Sequence, residues 1–217
     1  MSNPSAPRRR LGAGRPHSAA PVPDLAEILQ RGLEAFAELG YETASVRQLN
    51  TRLTMGPTFI NDRFGSKEAF WKAVIAYGIG QVTGDVVAAV EAGDTGDDLE
   101  RLATMVRAFH RSAARRPYLS RIMDYEAGRD TSRLRYLHEQ MRPLNEATRP
   151  IFDRLVQQGT IRDIPWYLFH FIVTKPLSMY GQQPLARLFG RPADADDHQL
   201  LSTLVLEGLI KRDEPTK

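Results

Sequence analysis

The stretch LGYETASVRQLNTRLTMGPTFINDRFGSKEAFWKAVI, residues 39–75, decides the fold of this 217-residue chain. Ser45 is a candidate N-cap, and Gln48 stands at the reciprocal position of a capping box. Leu49 and Leu53 then fall on one face of a helix. The pattern predicts a short helix of about two turns that begins next to Ser45.

Two further helix starts follow within the same stretch. Gly56 is a permissive N-cap and Pro57 has the backbone angle of a first helical residue, so a short helix is predicted here. Its inward positions are Ile60 and Phe64. Ser66 then caps a longer helix. The sequence therefore predicts three consecutive helix starts, of which the first two are separated by a tight turn.

Another helix precedes this stretch. Asp24 and Glu27 form a capping-box pattern, and Gly40 supplies the usual C-terminal glycine. The apolar residues between them recur mostly at every third or fourth position: Leu25, Ile28, Leu29, Leu33, Phe36 and Ala37. Three helices in about 40 residues, two of them joined by a tight turn, are the minimal DNA-binding helix-turn-helix unit.

Downstream of Ser66, helical runs alternate with glycine and proline breakers, and the period-two alternation of strands is not apparent. We expect helices over roughly 66–91, 97–115, 117–127, 132–158, 164–182 and 195–211. The sequence predicts an all-α protein of about nine helices. We expect a three-helix domain over residues 24–70 and a second helical domain over residues 71–217.

Composition narrows the class of protein. The chain contains no cysteine, which excludes disulfides and thiolate metal sites, and its 42% hydrophobic residues are enough to bury a core. The N-terminal residues lack the apolar segment of a signal peptide, and no unbroken apolar run reaches the roughly 18 residues of a spanning helix. We therefore expect a cytoplasmic protein that makes no contact with a membrane.

Residues 25–75 resemble the TetR family of one-component transcription regulators. The segments ELGYETASVRQL and RFGSKEAFWKAV stand in the family order of helix, GY, a Thr/Ser-rich cap, VR-x-L, turn, short recognition helix and FGSKEAF. The resemblance covers about a quarter of the chain, which is the family's diagnostic part. It implies a homodimer that binds double-stranded DNA through the helix-turn-helix.

The resemblance and the residue chemistry together predict the DNA contacts. Hydroxyls and free backbone N–H groups at the start of the helix capped by Ser45 can bind a DNA phosphate. Lys67, at the start of the helix capped by Ser66, would bind a phosphate on the other side of the recognition helix. Phe59 is either a core residue or a base reader, and each arginine meets either a base or a phosphate. The predicted contacts are Thr43, Ser45, Arg47, Pro57, Thr58, Phe59, Asn61, Arg63 and Lys67.

The recognition segment PTFINDRF departs from the commonest family pattern, KGTLYHYF. Asn61, Asp62 and Arg63 replace a Tyr-His-Tyr run. Asparagine suits adenine and arginine suits guanine or phosphate, whereas Asp62 would repel phosphate unless it accepts from cytosine or pairs with Arg63. Asn50 and Thr54 stand in place of a usual small residue and of the turn glycine.

Residues 1–23 form a separate basic segment with five prolines and no acid, and we expect a flexible arm there. Because the net charge of the chain is only +3 and this arm carries four arginines and no acid, the excess of positive over negative charge lies in the arm. The arm either inserts an arginine into a DNA minor groove or adds only salt-sensitive, non-specific affinity. Its arginines are Arg8, Arg9, Arg10 and Arg15.

The family resemblance implies that two late helices, near 164–182 and 195–211, build the homodimer interface and that a ligand cavity lies beside them. The first is apolar on nearly every side, and Pro176 should kink it. A mixture of apolar walls and a few polar groups suits a small apolar or amphipathic ligand, although ordinary core packing is the alternative for each residue. The candidate pocket residues are Met105, Phe109, Tyr118, Ile122, Tyr125, Trp166, Phe169 and His170.

The resulting hypothesis is a repressor that binds a palindromic operator as a dimer and is released by a small molecule. The alternative is a regulator of the same fold that responds to a partner protein or to no signal. No G-x-S-x-G, P-loop, H-E-x-x-H or dinucleotide motif is present. We therefore expect neither catalytic residues nor a metal or cofactor.

Overall fold

The computed structural model describes residues 24–93 and 96–211. The helices are α1 (Leu25–Leu39), α2 (Val46–Arg52), α3 (Phe59–Phe64), α4 (Lys67–Ala92), α5 (Asp98–Ala114), α6 (Pro117–Ala127), α7 (Ser132–Gln157), α8 (Trp166–Thr174), α9 (Ser178–Gly181), α10 (Gln183–Leu188) and α11 (His198–Leu209). Within these residues no β-strand forms, so the all-α prediction is confirmed. The predicted arm arginines, Arg8, Arg9, Arg10 and Arg15, lie outside the described residues.

The predicted caps of α2 and α4 are confirmed, and those of α1 and α3 are wrong, since the N-cap of α3 is Thr58 and not Gly56. Ser45 accepts a hydrogen bond from the backbone of Gln48 at 3.2 Å, and the Gln48 side chain accepts from the backbone of Ser45 at 2.9 Å. Ser66 caps α4 by accepting from the backbone of Ala69 at 3.0 Å. Asp24 makes no side-chain cap at α1. The helix instead begins without a capping box, and Glu27 pairs with an arginine one turn along the helix.

The turn between α2 and α3 is held by a buried asparagine. The Asn50 side chain donates to the carbonyl of Pro57 at 2.6 Å and accepts from the backbone N–H of Ile60 at 3.2 Å. Thr54 has a φ of 60°, the left-handed conformation that glycine adopts without cost. The helix predicted to open at Gly56 begins instead at Phe59. It starts later because Asn50 holds Pro57 in the turn.

One hydrophobic core joins the helix-turn-helix to later helices. Phe70 and Trp71 of α4 are fully buried in a cluster that contains residues of α1, α2 and α3 and also Leu119, Ile122 and Leu137 of α6 and α7. Gly32 allows α1 to approach α4 closely, since a Cβ there would lie 2.5 Å from the Val74 side chain. The helix-turn-helix therefore packs directly onto α6 and α7.

A second core lies between α5, α7, α8 and α11. The helix predicted over 164–182 is interrupted within this region, because Pro176 lacks an N–H and cannot continue a regular helix. The chain forms α8, then a turn of 3-10 helix over Lys175–Leu177, and then α9. Together with the short α10, this break makes the number of α-helical segments larger than the nine or so predicted.

By length and mean hydropathy, α4 is the one helix in the described part of the chain that could cross a membrane. It packs against α1, α3, α5 and α7 and contributes residues to both cores. A helix that contacts partners on several sides needs apolar residues around its circumference. Eight of the 26 residues of α4 are buried in these contacts.

His110 on α5 is fully buried and ties α5 to α8 and α11. Its Nε2 donates to the carbonyl of Val173 at 2.9 Å, and its Nδ1 lies 3.0 Å from the hydroxyl oxygen of Ser202. Burial lowers the pKa of the His110 imidazole despite the hydrogen bond to Val173. The neutral ring is thus part of the packed core at neutral pH.

Replacing Asn50 tests its role in the turn. We expect Asn50→Ala to lower the free energy of unfolding by about 1–3 kcal/mol, because the Pro57 carbonyl and the Ile60 N–H lose their partner in a buried position. Urea unfolding measures the loss. Thr51→Ala, on the exposed side of the same helix, is the control and should change stability by less than about 0.5 kcal/mol. Equal stability of Asn50→Ala and the natural chain would contradict this role.

The buried imidazole also makes stability depend on pH. Because its pKa is lowered in the folded chain, the unfolded chain binds more protons as the pH falls below about 6.5, and stability is lost there. We expect urea unfolding to show a lower free energy at about pH 5.5 than at about pH 7.5. His110→Gln should show a shallower dependence. The same pH slope in both proteins would refute this assignment.

Candidate nucleic-acid interface and ligand cavity

The outer side of the helix-turn-helix carries most of the predicted DNA contacts. Arg47 projects from α2 and Arg63 from α3, and both side chains are exposed. Neither makes an ion pair within the described residues, whereas Arg52 of α2 pairs with Glu38 at 2.5 Å. The other exposed predicted residues on this side are Thr43, Ser45, Pro57, Thr58 and Asn61. This side of the unit therefore presents two unpaired positive charges among small polar groups.

Phe59 is only half-buried and lies at the edge of this surface. Its ring packs against the first core and meets the Phe64 ring edge-on, with 6.3 Å between centroids. This contact holds one end of α3 against the core. The exposed residues of α3, Asn61 to Arg63, are then directed away from the protein.

Lys67 has a structural role in addition to its predicted phosphate contact. Its Nζ donates to the carbonyls of Tyr41 and Ala44, each at 3.0 Å, and lies 4.3 Å from the centre of the Tyr41 ring. These bonds fasten the loop between α1 and α2 to the start of α4. An ammonium group has three donors, so one remains for a phosphate oxygen.

A large cavity lies between α4 and α8, on the side of the protein away from α2 and α3. Its volume is about 800 Å³, within the range of small-molecule sites. Five of the predicted pocket residues line it: Met105, Phe109, Trp166, Phe169 and His170. The sequence therefore located the α5 and α8 walls of the cavity.

Three predicted pocket residues do not line the cavity. Ile122 is buried in the first core and Tyr118 packs against that core. Tyr125 is 42% exposed, with the Arg129 guanidinium 4.2 Å from the centre of its ring. The reason is the rotation of α6, which turns a different face to the cavity. The α6 residues that do line it are Leu119, Ser120, Met123, Asp124 and Ala127.

The α7 wall of the cavity was missed by sequence reasoning. Five of its lining residues recur with helical spacing along one face: Leu134, His138, Met141, Asn145 and Thr148. This periodicity is visible in the sequence. It does not distinguish a helix that lines a cavity from one that packs on a solid core, so only the tertiary structure identifies these residues as a wall.

The charged residues of the cavity wall are largely paired. Lys175 and the Ser178 hydroxyl both donate to Asp124 Oδ1, at 3.2 Å and 2.9 Å. Arg135 pairs with Asp130 at 2.9 Å. Burial lowers the pKa of His170, and the nearby His138 lowers it further. A neutral His170 imidazole is therefore among the polar groups of the cavity wall.

An ionic cluster connects the helix-turn-helix with the walls of the cavity. Arg133, at the start of α7, donates to Glu126 of α6 at 3.0 Å and to Glu42 at 2.7 Å. Its guanidinium lies 4.2 Å from the centre of the Tyr41 ring, on which Lys67 also rests. Glu126 is 1% exposed, so its charge depends on Arg133.

Comparison with solved structures identifies the fold. A TetR family transcription regulator from Marinobacter aquaeolei VT8 matches with a TM-score of 0.67 and 19% identity, over 86% of this chain and 95% of that chain. FadR from Bacillus subtilis, in complex with stearoyl-CoA, matches with a TM-score of 0.65 and 18% identity, over 85% and 96%. AibR, in complex with isovaleryl coenzyme A and operator DNA, matches with a TM-score of 0.66 and 17% identity, over 84% and 96%.

The chain thus has the fold of the TetR-family transcription regulators, as the sequence motifs predicted. No protein-family model and no curated protein sequence matches it. At these identities the shared property is the arrangement of helices.

The buried ion pair between Arg133 and Glu126 gives a test of the connecting cluster. We expect Arg133→Leu to lower the free energy of unfolding by about 3–5 kcal/mol, because it leaves the Glu126 carboxylate buried without a partner. The double variant Arg133→Leu with Glu126→Leu should recover most of this loss. Urea unfolding of the natural chain and the variants measures both effects. A double variant no more stable than Arg133→Leu would rule out the assigned dependence.

Proposed function

We propose that this protein is a homodimeric transcription regulator of the TetR family whose affinity for operator DNA changes when a small molecule occupies the cavity. The proposal rests on one observation: the exposed DNA-facing helices and the helices of the cavity wall share a single hydrophobic core. The unpaired arginines of α2 and α3 face outward, and the same core extends to helices that wall the cavity.

The chemistry of the exposed surface suits duplex DNA. Arg63 and Arg47 can pair with guanine or phosphate, and Asn61 can pair with adenine through its side-chain amide. Thr58 is suited to a thymine methyl group. Residues 1–23 would add arginines to the same polyanion. A protein that binds DNA in this way works in the cytoplasm of a bacterial-type cell, which is part of this proposal.

A homodimer accounts for the apolar side chains exposed on the last long helices. Large apolar residues project from α8 and α11 and are 38–65% exposed: Tyr167, Leu168, Phe171, Leu200 and Leu204. Large apolar side chains exposed together on two helices suit a protein–protein interface. Two copies joined here would present two helix-turn-helix units, which suits a palindrome whose half-sites lie about one helical turn apart. Binding would then repress transcription by blocking the promoter.

The cavity supports a small molecule rather than a partner protein as the signal. Its volume of about 800 Å³ and its mostly apolar wall are typical of small-molecule sites. The solved relatives that carry stearoyl-CoA or isovaleryl coenzyme A support this interpretation for the fold. A ligand that prefers one position of α6 and α7 would shift the helix-turn-helix through Arg133, and operator affinity would change by the difference in ligand affinity between the two states.

Selection of bound sequences from random DNA, followed by footprinting, tests the DNA-binding function. We expect a palindromic site, and we expect Arg47→Ala and Arg63→Ala each to weaken binding by about tenfold and to reduce its salt dependence. Arg52→Ala, which removes a paired arginine from the same helix, is the matched control and should have a smaller effect. Unchanged affinity and salt dependence in both test variants would disprove the proposed interface.

A further inference from the structure

The charges on the cavity wall balance, and its two cations are already engaged. Lys175 is paired with Asp124, and Arg135 with Asp130. A ligand anion would compete for Lys175 with Asp124, whose Oδ1 accepts from Lys175 and Ser178 and whose Oδ2 is buried without a hydrogen-bond partner. Within the described residues, the cavity wall thus offers no unpaired cation for a carboxylate or a phosphate.

A cationic ligand fits no better. Asp124 already has the Lys175 ammonium 3.2 Å from its Oδ1, so a second cation there would lie beside a like charge. The remaining acid of the wall, Glu139, is an exposed residue and already has solvent around it. Transferring a charged group from water into an apolar cavity without a partner is strongly unfavourable.

Polar side chains outside the ion pairs line the cavity on α7 and α8. These are His138 and Asn145 on α7 and His170 on α8. His138 is exposed, whereas Asn145 and His170 are half-buried. None of these three side chains is engaged by a hydrogen bond within the described part of the chain. Burial lowers the pKa of His170, and a neutral imidazole supplies one donor and one acceptor, so it can bind either a hydroxyl or a carbonyl oxygen.

We infer that the cavity binds an uncharged amphipathic molecule, an alcohol or a ketone with a long apolar body, whose oxygen is held by His170. This inference rests on the proposed role of the cavity as the ligand site. The apolar body lies along the wall formed by residues such as Met105, Phe109 and Trp166. The ligand class therefore differs from the acyl-CoA found in the solved relatives.

Calorimetric titration of the full chain with probes of one chain length tests the ligand class. The probes are decanol, a decanone, decanoate, decyltrimethylammonium and decanoyl-CoA. We expect decanol and the decanone to bind at least about tenfold more tightly than the three charged probes, because only the charged probes must lose hydration without gaining a partner. Equal or tighter binding of any charged probe, or no binding of any probe, would overturn the inference.

Substitutions of His170 test its assignment. His170→Leu should weaken decanol binding by about tenfold, because the hydroxyl loses a partner inside the cavity. His170→Gln keeps a donor and an acceptor at that position and should retain most of the affinity. His138→Leu, at an exposed position of the wall, is the control and should have a smaller effect. Unchanged affinity in His170→Leu would overturn the assignment of this residue.

A DNA-release assay separates failure of this inference from failure of the proposed function. If the probes bind with the expected preference but leave operator affinity unchanged, the inference stands and the proposed ligand response is wrong. If the chain binds its operator with the expected dependence on Arg47 and Arg63 but binds no neutral probe, the inference is overturned and the DNA-binding function stands.

Discussion

The burial of the first half of α4 is the constraint on which the rest of the structure depends. Phe70, Trp71, Val74 and Ile75 are all fully buried, in a cluster that includes α1 to α3 and also α6 and α7. Each such side chain contributes roughly 1.5–3 kcal/mol when it leaves water, so separating these elements would be costly. The helix-turn-helix has no core of its own, and a change in its position requires a change in α6 and α7.

The ionic cluster at the edge of this core fixes the orientation of the loop that carries Tyr41 relative to α6 and α7, which apolar packing alone does not fix. Hydrophobic contacts are non-directional, but Arg133 must satisfy Glu126, Glu42 and the face of Tyr41 together. A buried ion pair of this kind adds little net stability compared with an apolar replacement, yet it strongly penalises any arrangement in which one partner is missing. The loop that carries Tyr41 is therefore held at a defined angle to α6 and α7.

Features formed by residues close together in the sequence could be predicted from it, whereas features formed by distant residues could not. Ser45, Gln48 and Ser66 were predictable because a cap is formed by residues three apart in the sequence. Asn50 was noted only as an unusual residue, because its partners Pro57 and Ile60 become neighbours only when the turn closes. The cavity was partly predicted, since helical periodicity gives the apolar face of each helix but not the rotation of α6 or the place of α7.

The continuity of α4 has a mechanical consequence. The helix runs unbroken for 26 residues, a length of about 39 Å, from the helix-turn-helix to beyond the cavity wall at Val82 and Thr83. A tilt of the whole helix by about 5°, pivoted at the far end, would sweep its first turn through about 3 Å, comparable to the rise of one base pair. Under the proposed function, a minor adjustment of side chains around a ligand would by such a tilt displace the recognition helix of each subunit relative to the duplex.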